Sequence, residues 1–199
     1  LKLAELGLSA LGLDEVRFVP TARSPHKPEA GGPGTEARLR LLEAALAGTE
    51  RPFRVEPIEL ERGGTSYTVD TLEALDAREP GRAWILLVGA DQLPGLPGWR
   101  RVDRILALAS LAVAPRPGFD LALPPAFQAR WRGRWSGVPG ELIGLPGTEL
   151  LLSSTGLRGE LALGHRPEGL PIQVEAAIRR ENYYRKDIRS EAPHSGDTE

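Results

Sequence analysis

The 199-residue sequence contains no cysteine and no methionine. The first absence rules out disulfides, thiolate nucleophiles and zinc–thiolate centres, while leaving the compartment open. The second bears on the start of the chain. A bulky Leu1 does not favour removal of an initiator Met, and residues 1–11 already read as mid-helix, so the natural start is expected upstream of Leu1. No apolar run approaches the ~20 residues that cross a bilayer. The N-terminus lacks the basic segment and apolar stretch of a secretion signal, which makes the cytosol the default compartment. The histidines, His26, His165 and His194, show no metal-ligand spacing and no Ser-His-Asp order, so no metal-ligating residue is expected. The formal charge of −2 gives no net pull toward nucleic acid or acidic membranes.

What is present suits a soluble domain with an ample core: 41% hydrophobic and 26% charged residues. Leu1, Ala4, Leu8 and Leu11 recur at helical spacing until Gly12 ends them. Residues 15–20 read as a short strand and 21–34 as a loop carrying Ser24-Pro25-His26-Lys27. Thr35 can cap a helix to about Leu46, and residues 55–60 form a weak strand broken by Pro57. After the Gly63-Gly64 turn, Thr68 can cap a helix to about Asp76. The run Trp84-Ile85-Leu86-Leu87-Val88 reads as a central parallel strand buried on both faces. Residues 102–109 read as a helix and 111–114 as a second buried strand. Residues 118–147 look like a variable surface excursion. Residues 149–152 read as a last strand, running into Ser153-Ser154-Thr155 and a helix to about Leu163. Pro171 opens a final helix to near Tyr183, and the polar residues 185–199 are expected to be disordered. Strands alternating with helices over short connections indicate an α/β class, doubly wound parallel sheet.

Ligands of such sheets gather beyond the carboxyl ends of the strands. Asp91 stands there, one step past Gly89-Ala90, with Trp99 in the following Pro/Gly-rich loop as a possible stacking surface or a packing indole. Ser153-Ser154-Thr155 opens a helix whose free amides and hydroxyls suit phosphate, with Arg158 one turn in; plain capping with a solvated Arg is the equal alternative. Lys27 and His26 follow the strand at 16–19, where a solvated basic loop is the simpler reading. Thr68 starts a helix whose first amides could hold a carboxylate, again beside ordinary N-capping.

In order, FVP…SPHK, SYTVDTL, LLVGADQL with a following Trp, AVAPRPG and SSTGLR resemble the bacterial nicotinate-nucleotide adenylyltransferases. These belong to the nucleotidyltransferase superfamily with a Rossmann-like fold. The likeness covers nearly the whole chain apart from residues 118–147 and the tail, and it implies one nucleotidyltransferase domain over residues 1–184. It implies that Ser154, Thr155 and Arg158 hold the ATP phosphates, with Lys27 and His26 meeting phosphate in the same cleft. The backbone at Thr68 and Arg100 would accept a nicotinate carboxylate while Trp99 stacks on the pyridine ring, and Asp91 beside Gly89 would organise the nucleotides. The implied reaction is adenylyl transfer from ATP, accompanied by Mg²⁺, to nicotinate mononucleotide, with no nucleic-acid or membrane partner and the oligomeric state open.

The sequence departs from the family at one place. The Gly-x-Phe-x-Pro-x-His segment of the first strand and the following His-x-Gly-His do not occur in residues 1–199. Leu1 aligns just after the second histidine of that motif. The first, central strand is therefore expected to be absent, leaving an apolar slot in the sheet. Arg158 and Lys27 would remain as the catalytic cations, and residues 1–199 alone are expected to be nearly inactive even if folded. The rival readings are an adenylyltransferase for another phosphate acceptor, such as nicotinamide mononucleotide or phosphopantetheine, and a non-catalytic nucleotide-binding module. A single-strand nucleic-acid binder using Trp131-Arg132-Gly133-Arg134-Trp135 is disfavoured by the overall charge.

Overall fold

Apolar residues at helical spacing and a glycine stop make the first element, α1 (Lys2–Leu11). The computed structural model describes residues 1–25, 33–147 and 154–184. The inner face of α1 is Ala4 and Gly7, flanked by Leu3, Leu6 and Leu11; Leu1, expected on that face, is exposed. Gly7 permits the close approach, since a Cβ there would lie 2.8 Å from Leu87 Cδ1. Gly12, at φ 63°, closes the helix by donating its amide to the Leu8 carbonyl.

β1 (Val16–Phe18) pairs in parallel with β2 (Phe53–Val55), Val16 opposite Phe53 and Phe18 opposite Val55. The crossover between them is α2 (Thr35–Leu46), as parallel pairing requires. Two helices follow, α3 (Ile58–Arg62) and α4 (Thr68–Arg78). β3 (Trp84–Gly89) then runs through a 3₁₀ helix (Ala90–Gly98) and α5 (Val102–Leu108) to β4 (Ala109–Ala114). β5 (Trp131–Arg132) and β6 (Leu142–Gly144) join the same parallel sheet in the order β3–β4–β6–β5. All six residues of β4 are buried, because β3 covers one edge and β6 the other. α6 (Ser154–Ala162) and α7 (Ile172–Arg180) complete the described chain, with α7 lying against α2.

Both faces of the larger sheet carry helices. Trp84 and Leu86 pack toward the cluster of Val69, Leu72 and Ile105, from α4 and α5. Ile85 and Leu87 point the other way, to Leu3, Leu6 and Leu11 of α1. The period of two along β3 thus sets which helix each residue meets.

Among the described residues, β1 pairs with β2 alone and β3 with β4 alone, so the parallel strands form two sheets. Between β1 and β3 lies a cavity of about 560 Å³. Residues 16–19 wall it on one side and residues 84–87 on the other, with Ala4 of α1 and Leu72 and Leu75 of α4 closing its faces. An apolar slot is the sequence's expectation for this part of the sheet; the cavity there is lined by apolar residues together with charged ones, Arg17, Glu59 and Arg82 among them. The cavity also explains a departure from expectation in β3. Trp84 to Leu87 are only half-buried, although apolar side chains point from both faces.

Other expectations are corrected. Residues 55–60 are not one strand: Phe53–Val55 is the strand, and Pro57 is the N-cap of α3, where its fixed φ starts a helix instead of breaking a strand. The stretch 118–147 is not wholly a surface excursion, because Leu142 and Ile143 of β6 are buried beside β4. Thr35 and Thr68 are not caps: each is the first helical residue, behind Gly34 and Tyr67. Pro171 is the N-cap of α7, just before the first turn. The expected strand at 149–152 and the tail 185–199 lie outside the described residues.

Candidate active site

β3 ends at Gly89, opposite Ala114 at the end of β4, so whatever follows the two strands meets at one edge. After β3 comes Asp91, and after β4 comes Arg116, whose Nη1 lies 2.9 Å from Asp91 Oδ1. The contact is an ion pair whose alignment falls short of a hydrogen bond. Gln92 Nε2 donates to the other carboxylate oxygen at 2.9 Å. Gly89 gives the Asp91 carboxylate its place, since a Cβ there would force that side chain to shift. Asp91 is thus partly exposed and held by a cation. Arg116 was missed from the sequence, although Pro115-Arg116-Pro117 stands at the carboxyl end of the neighbouring strand, where ligands of parallel sheets collect.

The second group forms where α4 begins. Expected as a loop, the Pro/Gly-rich segment after β3 is a 3₁₀ helix that delivers Trp99, whose amide donates to the Leu96 carbonyl at 3.1 Å. Trp99 is half-buried and packs toward both Val69 and Leu93, which leaves part of its ring to solvent. The Arg100 guanidinium lies over the Tyr67 ring, 4.4 Å from its centroid, and 4.0 Å from Asp70 Oδ2. Tyr67, the N-cap of α4, supplies no side-chain cap hydrogen bond to the first amides of the helix. Thr68, Trp99 and Arg100 are therefore tied to one corner through Tyr67 and Asp70. Neither of those two stood out in the sequence as a site residue.

The third group is basic. Arg158, one turn into α6, is exposed. Its charge and that of Arg38 act on the Tyr184 phenol, whose pKa burial nevertheless raises above the ordinary tyrosine value. Arg38 in turn donates to the carbonyl of Thr21 at 2.8 Å, just past the end of β1. Arg38 thus stands at the carboxyl end of β1, and both it and Arg158 act on Tyr184. Ser154 and Thr155 are the first residues of α6, whose backbone alone is described; His26, Lys27 and Ser153 lie outside the described residues.

Trp131 and Trp135 do not form an open stacking platform. Trp131 packs on Gly144, where a Cβ would sit 2.9 Å from the indole, and the Trp135 indole nitrogen is buried. The aromatic–basic segment is thus largely a packing element of the β5–β6 edge.

A cytidylyltransferase-like family model matches residues 1–190 of this chain. The probable nicotinate-nucleotide adenylyltransferase of Bordetella petrii is 39% identical over 190 residues, covering 93% of this chain and 91% of that protein. Its counterpart from Halalkalibacterium halodurans is 31% identical over 195 residues, 97% of this chain and 87% of the relative. The Geobacillus kaustophilus protein of the same description is 42% identical over 124 residues, an alignment spanning 62% of this chain but only 57% of that protein's length. Among solved structures, Plasmodium falciparum nicotinic acid mononucleotide adenylyltransferase complexed with NaAD superposes at a TM-score of 0.67, covering 92% of this chain and 90% of that one. At 14% identity that likeness speaks for the α/β fold alone. With a family model matching residues 1–190 and relatives matched along nearly its whole length, the chain belongs to the cytidylyltransferase-like family and, within it, to the nicotinate-nucleotide adenylyltransferases.

Proposed function

We propose that residues 1–184 form one nucleotidyltransferase domain that transfers an adenylyl group from Mg-ATP to nicotinate mononucleotide in the cytosol, giving deamido-NAD and pyrophosphate. The observation that carries this reading is the corner at α4, where Arg100 rests on Tyr67 beside Asp70 and brings the 99–100 turn to the helix start. Backbone amides at Thr68 and Arg100 donate to the nicotinate carboxylate there, and the half-buried Trp99 stacks on the pyridine ring.

The mononucleotide phosphate attacks the α-phosphorus of ATP in line, the bond to the β-phosphate bridging oxygen breaks, and pyrophosphate leaves. No covalent intermediate forms on the protein. Gly89 leaves room for the Asp91 carboxylate, which Arg116 holds in place and which organises the nucleotide at this strand end. Ser154, Thr155 and Arg158 take the triphosphate at the start of α6, and His26 and Lys27 add phosphate contacts. Catalysis is positioning plus charge neutralisation, with Arg158 and Lys27 as the catalytic cations. Mg²⁺ would accompany the triphosphate as part of the substrate.

Two measurements test the reading. Calorimetric titration with nicotinate mononucleotide and with nicotinamide mononucleotide should show clear preference for the acid; equal binding removes the carboxylate role of Thr68 and Arg100. Initial rates of dinucleotide formation should likewise favour nicotinate mononucleotide over nicotinamide mononucleotide, and equal rates would overturn the acid as the acceptor.

A further inference from the structure

Three residues on one face of α4 reach the turn that follows Trp99. Tyr67 lies under Arg100, Asp70 lies 4.0 Å from the same guanidinium, and Glu73 takes the next residue. Glu73 Oε2 accepts from Arg101 Nη1 at 3.1 Å and Oε1 from Nη2 at 3.0 Å, a paired contact. Arg104 Nε adds a third hydrogen bond to Oε1 at 2.9 Å. These bonds hold the Glu73 carboxyl below its ordinary pKa.

The backbone of Arg101 needs holding. It sits at φ 52° and ψ 47°, a left-handed conformation that a residue with a Cβ disfavours, and serves as N-cap of α5. Its carbonyl accepts the amides of Arg104 and Ile105 at 2.8 and 3.1 Å, which fixes the downstream side. The side chain is fixed from α4, through Glu73. A reversal at residue 101 sets the direction in which Trp99 and Arg100 leave the 3₁₀ helix. That direction decides where the indole and the Arg100 amide stand relative to the start of α4.

We infer that Glu73 is a positioning residue for the acceptor pocket: by clasping Arg101 in its left-handed turn, it aligns Trp99 and the Arg100 amide with the first amides of α4. Glu73 touches no substrate in this arrangement. The inference rests on the proposed acceptor role of that corner.

The test uses the full chain, with nicotinate mononucleotide and ATP titrated separately by calorimetry and folding followed by thermal melting. Glu73→Ala should weaken mononucleotide binding on the order of 10-fold, the penalty of a modest misalignment, and leave ATP binding unchanged. Glu73→Gln, which keeps one acceptor oxygen, should fall between. Arg101→Asn, which tolerates the left-handed region, should retain more mononucleotide affinity than Arg101→Ala, and this pair carries the test if the Glu73 variants fail to fold. A bare stabilising ion pair would lower the melting temperature of all variants without separating the two ligands or the two Arg101 substitutions. Unchanged mononucleotide affinity in both Glu73→Ala and Arg101→Ala overturns the inference, while failure of the unsubstituted chain to bind nicotinate mononucleotide overturns the proposed function and the inference with it.

Discussion

The Arg17 guanidinium carbon stands 5.0 Å from the ring centroid of Trp84, a cation–π contact that reaches from β1 to β3 across the slot between the sheets. The same guanidinium is hydrogen-bonded to Glu79, just past α4, and Arg17 Nε donates to Glu15 at 2.6 Å. Glu56, after β2, lies 3.5 Å away. One arginine thus links both sheets and α4 where no strand pairing does so.

Acid should loosen that link. Arg17 and Arg82 hold the Glu79 carboxyl at about 2, against an ordinary value of 4.5. A carboxylate with a depressed folded-state pKa contributes stability that is fully present above its unfolded value and lost as pH falls through the folded one. Melting temperature should therefore decline between about pH 4.5 and pH 2. Glu79→Gln should flatten part of that decline, and a variant with the parent's acid profile would remove Glu79 from the linkage.

Gly89→Ala should be costly beyond its size. The added methyl falls where the Asp91 carboxylate lies, so the ion pair with Arg116 must shift. A loss of about 1–3 kcal/mol is expected from overpacking, together with weaker ATP binding. Denaturant melts and ATP titration read the two effects separately. Full ATP affinity in the variant would detach Gly89 and Asp91 from the nucleotide.

Ser110 is buried in β4; its hydroxyl donates to the Val138 carbonyl at 2.9 Å and accepts the Glu141 amide at 3.3 Å. Ser110→Ala orphans both groups and should cost about 1–3 kcal/mol. Urea unfolding would show it as a lower midpoint at unchanged slope.

Trp99→Ala removes the indole proposed to stack on the pyridine ring. Mononucleotide binding should weaken by about 1–3 kcal/mol, the usual worth of a base–aromatic stack, with ATP binding retained. Equal losses for both ligands in calorimetric titrations would point to a collapsed corner instead of a lost stack.

The sequence was most informative where one local signal dominated. The apolar run of β3, the buried run ending at Ala114 and the Gly12 stop of α1 all stand where patterning put them. β6 escaped because three residues among Gly and Pro carry no periodicity; their burial comes from lying beside β4. Pro57 was read as a strand breaker when its use was to open α3. At the site, Asp91, Trp99 and Arg158 stood out as residue types at strand or helix ends. Arg116 and Tyr67 emerge only from strand register and helix contact, which no single window of sequence contains. The left-handed Arg101 could not be read either, since Arg carries no preference for that conformation.

The division of strands between the two sheets has a consequence for cooperativity. β3, β4 and β6 come from one uninterrupted stretch and share the cluster of Leu111, Ile105 and Leu142, so they can close on one another without waiting for residues 16–55. β1 and β2 communicate with that stretch chiefly through side chains, Arg17 foremost. Stability is then distributed over two units of unequal depth. Native-state hydrogen exchange should find the amides of β1 and β2 opening in a partial step at free energies below global unfolding, while those of β4 wait for the whole molecule.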